Sequence, residues 1–356
     1  MYKKWGYMRV FMWFLSSTVL FSNIEANKVT KNEANRTYRI IIANLPEDFF
    51  GEVQAIHRIA KAAKNLGWDC KIVDEYSKHP ESVNEFKPDL VISLHQEVKP
   101  FKGTVPHFLY VHHALNVYLD KQKKLNTKLF SNFLSYDGFI EVTPNIDPIR
   151  KAFVEKYKQH FYSVKSVFSV PSRQFNSSPK QRLIYWGSTW DKARREYYKP
   201  FYDLLDHTGY LDIYGPSWSW DKMGLKSYRG LLPMDDHTVV DKISEAGIAL
   251  ILHSHVHLKG GVPTSRIFEA AAASAVIICD HHPFVQKEFG DSVLYIDPNQ
   301  APQVVFKQID SHVKWVQSNP DKALALARRS HGIFMERFIL ENELKKIAEL
   351  YERMVK

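Results

Sequence analysis

From residue 38 onward, short runs of β-branched and other apolar residues alternate with longer stretches in which apolar positions recur every three or four residues. Unbroken apolar runs of four or five residues suit strands buried on both faces, and the 3.6-residue period suits helices laid over them. The pattern therefore predicts parallel α/β layering. The first strand is expected at 40–42, followed by a helix whose Val53, Ile56, Ala60 and Ala63 share a face and which Gly67 stops. Further strands are expected at 71–73, 90–94, 108–111, 139–142 and 166–170, with a helix starting near Asp147. Residues 171–181, with Asn176, Ser177, Ser178 and Pro179, read as a linker. The alternation then restarts, with strands at 182–186, 211–214, 248–252, 275–279 and 293–296 and helices at 194–205, 239–246 and 266–273. After Pro302 the chain reads as helical, Pro320 dividing two helices before an amphipathic one over 333–355. In that last helix Leu340, Leu344, Ile347, Tyr351 and Met354 fall on one face, away from Lys345 and Lys346. Two doubly wound α/β domains, 37–175 and 182–332, followed by a helix over 333–356, are the architecture this pattern predicts.

The first 26 residues break the pattern. Lys3, Lys4 and Arg9 precede a largely apolar block at 10–21, and Ile24-Glu25-Ala26 offers a cleavage site, the layout of a signal peptide or membrane anchor. Such a leader points to a membrane-associated or exported protein, with the cytoplasmic face of a membrane open to an anchored form. A length of 356 residues fits two domains, and 45% hydrophobic with 24% charged residues fits a folded globular chain. The net charge of +9 favours anionic partners such as phosphates, nucleotides or acidic membranes. The two cysteines, Cys70 and Cys279, each lie at a segment that reads as a strand, so a disulfide framework is not expected to hold this fold.

Candidate chemistry concentrates between residues 260 and 280. Gly260 and Gly261 open the backbone, Thr264 or Ser265 can cap the following helix, and the free N–H groups of its first turn attract an anion such as phosphate. Arg266 adds a fork of donors, and Glu269, one turn on, can accept hydrogen bonds from a sugar diol. A plain capped core helix is the competing reading.

This segment resembles the donor-binding domain of GT-B glycosyltransferases, in particular the group-1 type that includes spore-maturation CgeB-like proteins. Tyr185-Trp186-Gly187-Ser188 with Arg194 and Arg195 is similar to that domain's opening strand and basic turn. Ile213-Tyr214-Gly215-Pro216 is similar to its second strand and glycine turn, and Phe289-Gly290-Asp291-Ser292 to the segment after the donor helix. The resemblance covers about 182–297. It implies two Rossmann-like domains facing a cleft, a nucleotide-sugar donor held by the second, and a C-terminal helix crossing back onto the first. It also implies a role for Glu269 at the nucleotide ribose, and for Arg194 or Arg195 at the donor diphosphate. One departure stands out: retaining members often carry a second glutamate eight positions before the ribose glutamate, and here that position is Gly261. No Asp-x-Asp occurs, so no metal or other cofactor is expected.

Histidines follow several expected strands. His95, His112 and His113 end two strands of the first domain and are the candidate catalytic bases for an acceptor hydroxyl, histidines that merely close strand ends being the alternative. His253, His255 and His257 alternate, and on an extended chain would share a face and could bind zinc; a loop without metal is the preferred reading there and at Asp280-His281-His282. Trp186 and Trp190 are expected in an interdomain core, and Trp218 and Trp220 in an exposed loop. Lys121, Lys123 and Lys124 read as solvated charge able to touch an anionic membrane. The expected activity is transfer of a sugar from a nucleotide sugar to an unidentified glycan, lipid or protein, without nucleic acid as partner. The competing readings are an exported two-lobed solute-binding protein and a catalytically inactive glycosyltransferase-like lectin.

Overall fold

The computed structural model describes residues 36–43, 50–74, 78–96, 98, 105–113, 115, 118, 131–191 and 193–356. The leader at 1–26, the lysines at 121–124 and the side chain of Arg194 lie outside the described residues.

Strands β1 (Arg39–Ala43), β2 (Asp69–Val73), β3 (Leu90–Ser93), β4 (His107–Val111), β5 (Gly138–Glu141) and β6 (Ser163–Lys165) form a parallel sheet in the order β2-β1-β3-β4-β5-β6. A second parallel sheet has the order β11-β10-β9-β7-β8, built from β7 (Arg182–Trp186), β8 (Leu211–Tyr214), β9 (Gly247–Ile251), β10 (Val276–Asp280) and β11 (Leu294–Ile296). The central strands are the unbroken apolar runs, and Ile40, Ile41 and Ile42 are fully buried. The edge strands β2 and β6 are only partly covered, which is where alternation with polar residues is tolerated. In each sheet the winding reverses beside the first strand, between β1 and β3 and between β7 and β9, so a crevice opens at the carboxyl ends of those strands.

Three expected elements differ. The strand expected at 166–170 ends at Lys165, because its partner β5 runs out at Glu141; the N–H of Ser166 makes the last bond, to the Glu141 carbonyl at 2.9 Å. The helix expected at 194–205 starts as a π-helical turn, Ala193–Tyr197, and resumes at Lys199–Asp206, since Pro200 in its first turn has no N–H to continue the earlier ladder. The single helix expected over 333–355 is two, Pro320–Arg337 and Leu340–Val355, parted by extended backbone at Ile339.

That break lets the chain return to the first sheet. Leu340, Leu344, Ile347 and Tyr351 pack with Ile40, Ile42, Ile56 and Ile59, as the apolar face predicts. Glu341 accepts from Asn65 Nδ2 at 2.7 Å and from the N–H and Oγ of Ser172, each at 3.0 Å. At the crossing, the N–H of Leu340 donates to the Val170 carbonyl at 2.9 Å and Ser169 Oγ donates to the Phe338 carbonyl, so the outgoing and returning segments lie side by side. No helix among the described residues is long and apolar enough to cross a membrane.

Candidate active site

A cleft of about 220 Å³ opens at the carboxyl ends of the second sheet. Its floor comes from three turns: Gly187 and Ser188 after β7, Gly215 and Pro216 after β8, and Thr264, Ser265, Arg266 and Glu269 at the start of the Ser265–Ala272 helix. Leu231, Leu232 and Met234 form an apolar side, and beside them Gly51 and Gln54 of the first lobe line the cleft, Gln54 Nε2 lying 3.5 Å from the Pro233 carbonyl oxygen. Glycine is required at two of these turns. Gly187 has φ +129°, and a Cβ on Gly215 would lie 2.3 Å from the Gly187 carbonyl oxygen and 2.4 Å from Trp220 Nε1. Trp220 itself donates from Nε1 to the Gly187 carbonyl at 2.8 Å, tying the first two turns together.

The helix N-terminus differs from expectation in its cap. Thr264 occupies the cap position but its side chain does not cap; Oγ1 instead accepts from Arg266 Nε at 3.3 Å. Arg266 is buried rather than offered at the surface. Nη2 donates to the Leu252 carbonyl at 2.7 Å and Nη1 to the Trp186 carbonyl at 3.3 Å, so the guanidinium pins the ends of β9 and β7 beneath the cleft, over the ring of Tyr185. Glu269 is equally engaged: Oε2 accepts from Trp186 Nε1 at 2.5 Å and Oε1 from Arg58 Nη1 at 2.5 Å. Gly260 and Gly261 do not line this cleft; they close the preceding helix His255–Gly260, where Gly261 takes φ +66°. Arg195 is exposed and does not line the cleft either.

On the first lobe, β3 and β4 are neighbours, and the three strand-end histidines do come together. The ring centroids of His112 and His113 are 4.1 Å apart and those of His95 and His113 5.5 Å apart. His112 stacks on Phe168 at 5.2 Å and its Nε2 lies 3.3 Å from Glu52 Oε1, while its Nδ1 is buried with no partner among the described residues. Burial, and then repulsion from His112, pushes the His113 pKa down to about 3. For Glu52, burial opposes ionisation, but the hydrogen bond and charge of His112 outweigh it and lower the pKa. Glu52 sits between Gly51 and Gln54, so the histidine cluster and the cleft share one helical turn, and His257 of the second lobe acts electrostatically on His113.

Glu52 and Arg58 were not legible as site residues, being a first-turn acid and a lone arginine on an ordinary amphipathic helix. Gly51, Gln54 and Arg58 do share the spacing of one helical face. The alternating histidines do not share a face. Ser254 caps a helix by accepting from the His257 N–H at 3.2 Å, which folds His255 and His257 away. His253 turns to Asp280, Nδ1 to Oδ1 at 2.6 Å, and His282 caps the Pro283–Phe289 helix. Of the tryptophans, Trp186 is buried and Trp218 is exposed, as expected; Trp190 is exposed and Trp220 buried, against expectation.

Among known proteins, a family model described as glycosyl transferase-like matches residues 171–351. No curated protein matches the sequence. An alpha-glucosyltransferase, solved with UDP and a 13-mer DNA containing an HMU base, superposes with a TM-score of 0.62 at 12% identity, over 89% of this chain and 100% of that one. Anabaena HepE, solved with UDP-glucose, gives 0.56 at 9% identity over 89% and 100%. A sucrose-phosphate synthase from Thermosynechococcus elongatus gives 0.54 at 9% identity over 90% and 99%. At such identities the likeness is one of fold, the GT-B arrangement of two Rossmann-like sheets.

Proposed function

The chain belongs to the glycosyl transferase-like family and is a nucleotide-sugar-dependent glycosyltransferase; from that premise we propose that it transfers a sugar without a metal and with inversion. The uncapped helix start beside the two glycine turns carries this reading. The donor diphosphate lies against the backbone N–H groups of the Gly187-Ser188 turn and the first turn of the Ser265–Ala272 helix, where charge on the leaving group meets fixed donors. Arg266 holds those turns in place from below. The ribose lies on Glu269 and the base against Leu231 and Leu232. UDP is the nucleotide to test, since two fold relatives were solved with UDP or UDP-glucose.

The acceptor enters from the first lobe. His112, with its Nε2–H directed at Glu52, keeps Nδ1 as the acceptor of a proton. The acceptor hydroxyl gives its proton to His112 as its oxygen bonds to the anomeric carbon, and the bonding pair leaves with the diphosphate. Gly261, standing where retaining relatives often have a glutamate, supports inversion. Residues 37–175 are proposed as the acceptor domain and 182–332 as the donor domain, and 1–26 as the leader that brings the enzyme to a membrane. Family membership sets aside the solute-binding reading.

Calorimetry with UDP, GDP and free monosaccharides, beside a turnover assay and NMR of the product anomer, tests the proposal. UDP binding with turnover and an inverted product is expected. Binding of free sugar alone would overturn it, and nucleotide binding without turnover would leave an inactive, lectin-like protein.

A further inference from the structure

The buried pair Arg58–Glu269 joins the two lobes at the residue read above as the ribose ligand. We propose that Arg58 is a positioning residue for the donor: it reaches from the first lobe to fix the Glu269 carboxylate, so that the second lobe's donor site is complete only when the lobes are apposed. This inference rests on the reading of Glu269 as ribose ligand.

Arg58 lies on the Phe50–Asn65 helix, one turn beyond Gln54 and two beyond Gly51, both of which line the cleft. Its side chain is 2% exposed, and that of Glu269 3%. The carboxylate is gripped at both oxygens, by Arg58 Nη1 on Oε1 and Trp186 Nε1 on Oε2. Each carboxylate oxygen has two lone-pair sites, so one acceptor site per oxygen remains for a ribose diol while the group's rotation is stopped. The two holds are not equivalent. Trp186 ends β7 in the same lobe as Glu269 and holds it in any arrangement of the lobes, whereas Arg58 holds it only when the first lobe is in place. Nε and Nη2 of Arg58 have no protein partner among the described residues, so Glu269 is the anion this buried cation depends on. A buried cation separated from its counter-ion is strongly disfavoured, which links apposition of the lobes to the charge of this one carboxylate.

The test uses the full chain and titrates UDP and 2′-deoxy-UDP by calorimetry into the parent, Glu269→Gln, Arg58→Met, Arg58→Lys and the Glu269→Gln/Arg58→Met double variant. Glu269→Gln should weaken UDP about tenfold, near 1.4 kcal/mol, and lose the preference for UDP over its deoxy analogue. Arg58→Met should do the same, and the double variant should bind no more weakly than the weaker single one, because both changes act through one group. Should Arg58→Met fail to fold, Arg58→Lys carries the test, since it keeps the charge but not the planar fork. Loss of the ribose preference in Arg58→Lys supports the proposal; parent affinity and preference in a folded Arg58 variant overturn it. If Glu269→Gln itself keeps the parent's affinity and preference, the ribose reading of Glu269 fails instead, whatever Arg58 does.

Discussion

The two lobes treat charge in opposite ways around the cleft. The second-lobe wall buries Arg266 and Glu269 and gives each fixed hydrogen-bond partners, strand-end carbonyls for the one and two N–H donors for the other. One helical turn away, the first lobe gathers Glu52, His95, His112 and His113; the His113 ring lies 4.1 Å from that of His112 and 5.5 Å from that of His95, and burial, then the charge of His112, holds its pKa down. Fixed dipoles suit a ligand whose charge is permanent, such as a diphosphate. Neighbouring imidazoles suit a step in which a proton moves.

The sharpest way to break this contrast is His112→Ala. Turnover should fall about 10²- to 10⁴-fold, with UDP affinity, which the proposal assigns to the second lobe, unchanged. Single-turnover rates beside calorimetry check it, and an equal loss of both quantities would erase the distinction between the lobes.

Gly215→Ala attacks the second lobe. The added Cβ meets the Gly187 carbonyl oxygen at 2.3 Å and Trp220 Nε1 at 2.4 Å, neither of which can retreat without breaking the bond between them. A stability loss of about 1–3 kcal/mol and weakened UDP binding are expected, read from the urea midpoint and calorimetry.

Acidification sharpens the contrast. Burial pushes the pKa of His107 and His113 down to about 3 and that of His282 to about 4. In the unfolded chain these groups take up protons near pH 6.5, so between there and the folded values the unfolded state binds more protons. The stability they confer is present above about pH 6.5 and is lost as pH falls toward the folded values, with a slope of about 1.4 kcal/mol per pH unit for each group. Two of the three lie in the first lobe. His113→Asn should flatten the pH dependence of the melting temperature between pH 6 and 4, and an unchanged slope would show that His113 is not held neutral.

Trp218→Ala should do least. The ring is 55% exposed, and the change should shift stability by less than about 0.5 kcal/mol, against which the urea midpoint is the check. A larger loss would extend the rigid donor wall to its rim.

The layering was legible because the central strands of a parallel sheet are apolar without interruption, as Ile40, Ile41 and Ile42 are. Strand ends were less so: where β6 stops depends on the length of β5, which residues 166–170 do not encode. In the site, the glycine turns and Glu269 carry local signatures, whereas Glu52 and Arg58 gain meaning only from a partner 60 residues away, His112, or 211 away, Glu269. The one-face reading of the histidines at 253, 255 and 257 required extended chain, and Ser254 starts a helix instead. Trp190 and Trp220 misled for a related reason: aromatic content says nothing of which ring the Ser217–Trp220 turn will rotate inward.

The paired crossing at Val170 and Leu340 has a mechanical consequence. Because outgoing and returning segments are tied by hydrogen bonds from Leu340 to Val170 and from Ser169 to Phe338, the lobes are held by two tethers in parallel rather than one. Two adjacent tethers resist sliding and swivelling but permit folding about the line they define. A single proteolytic cut at either tether is therefore expected to leave the lobes associated through the other.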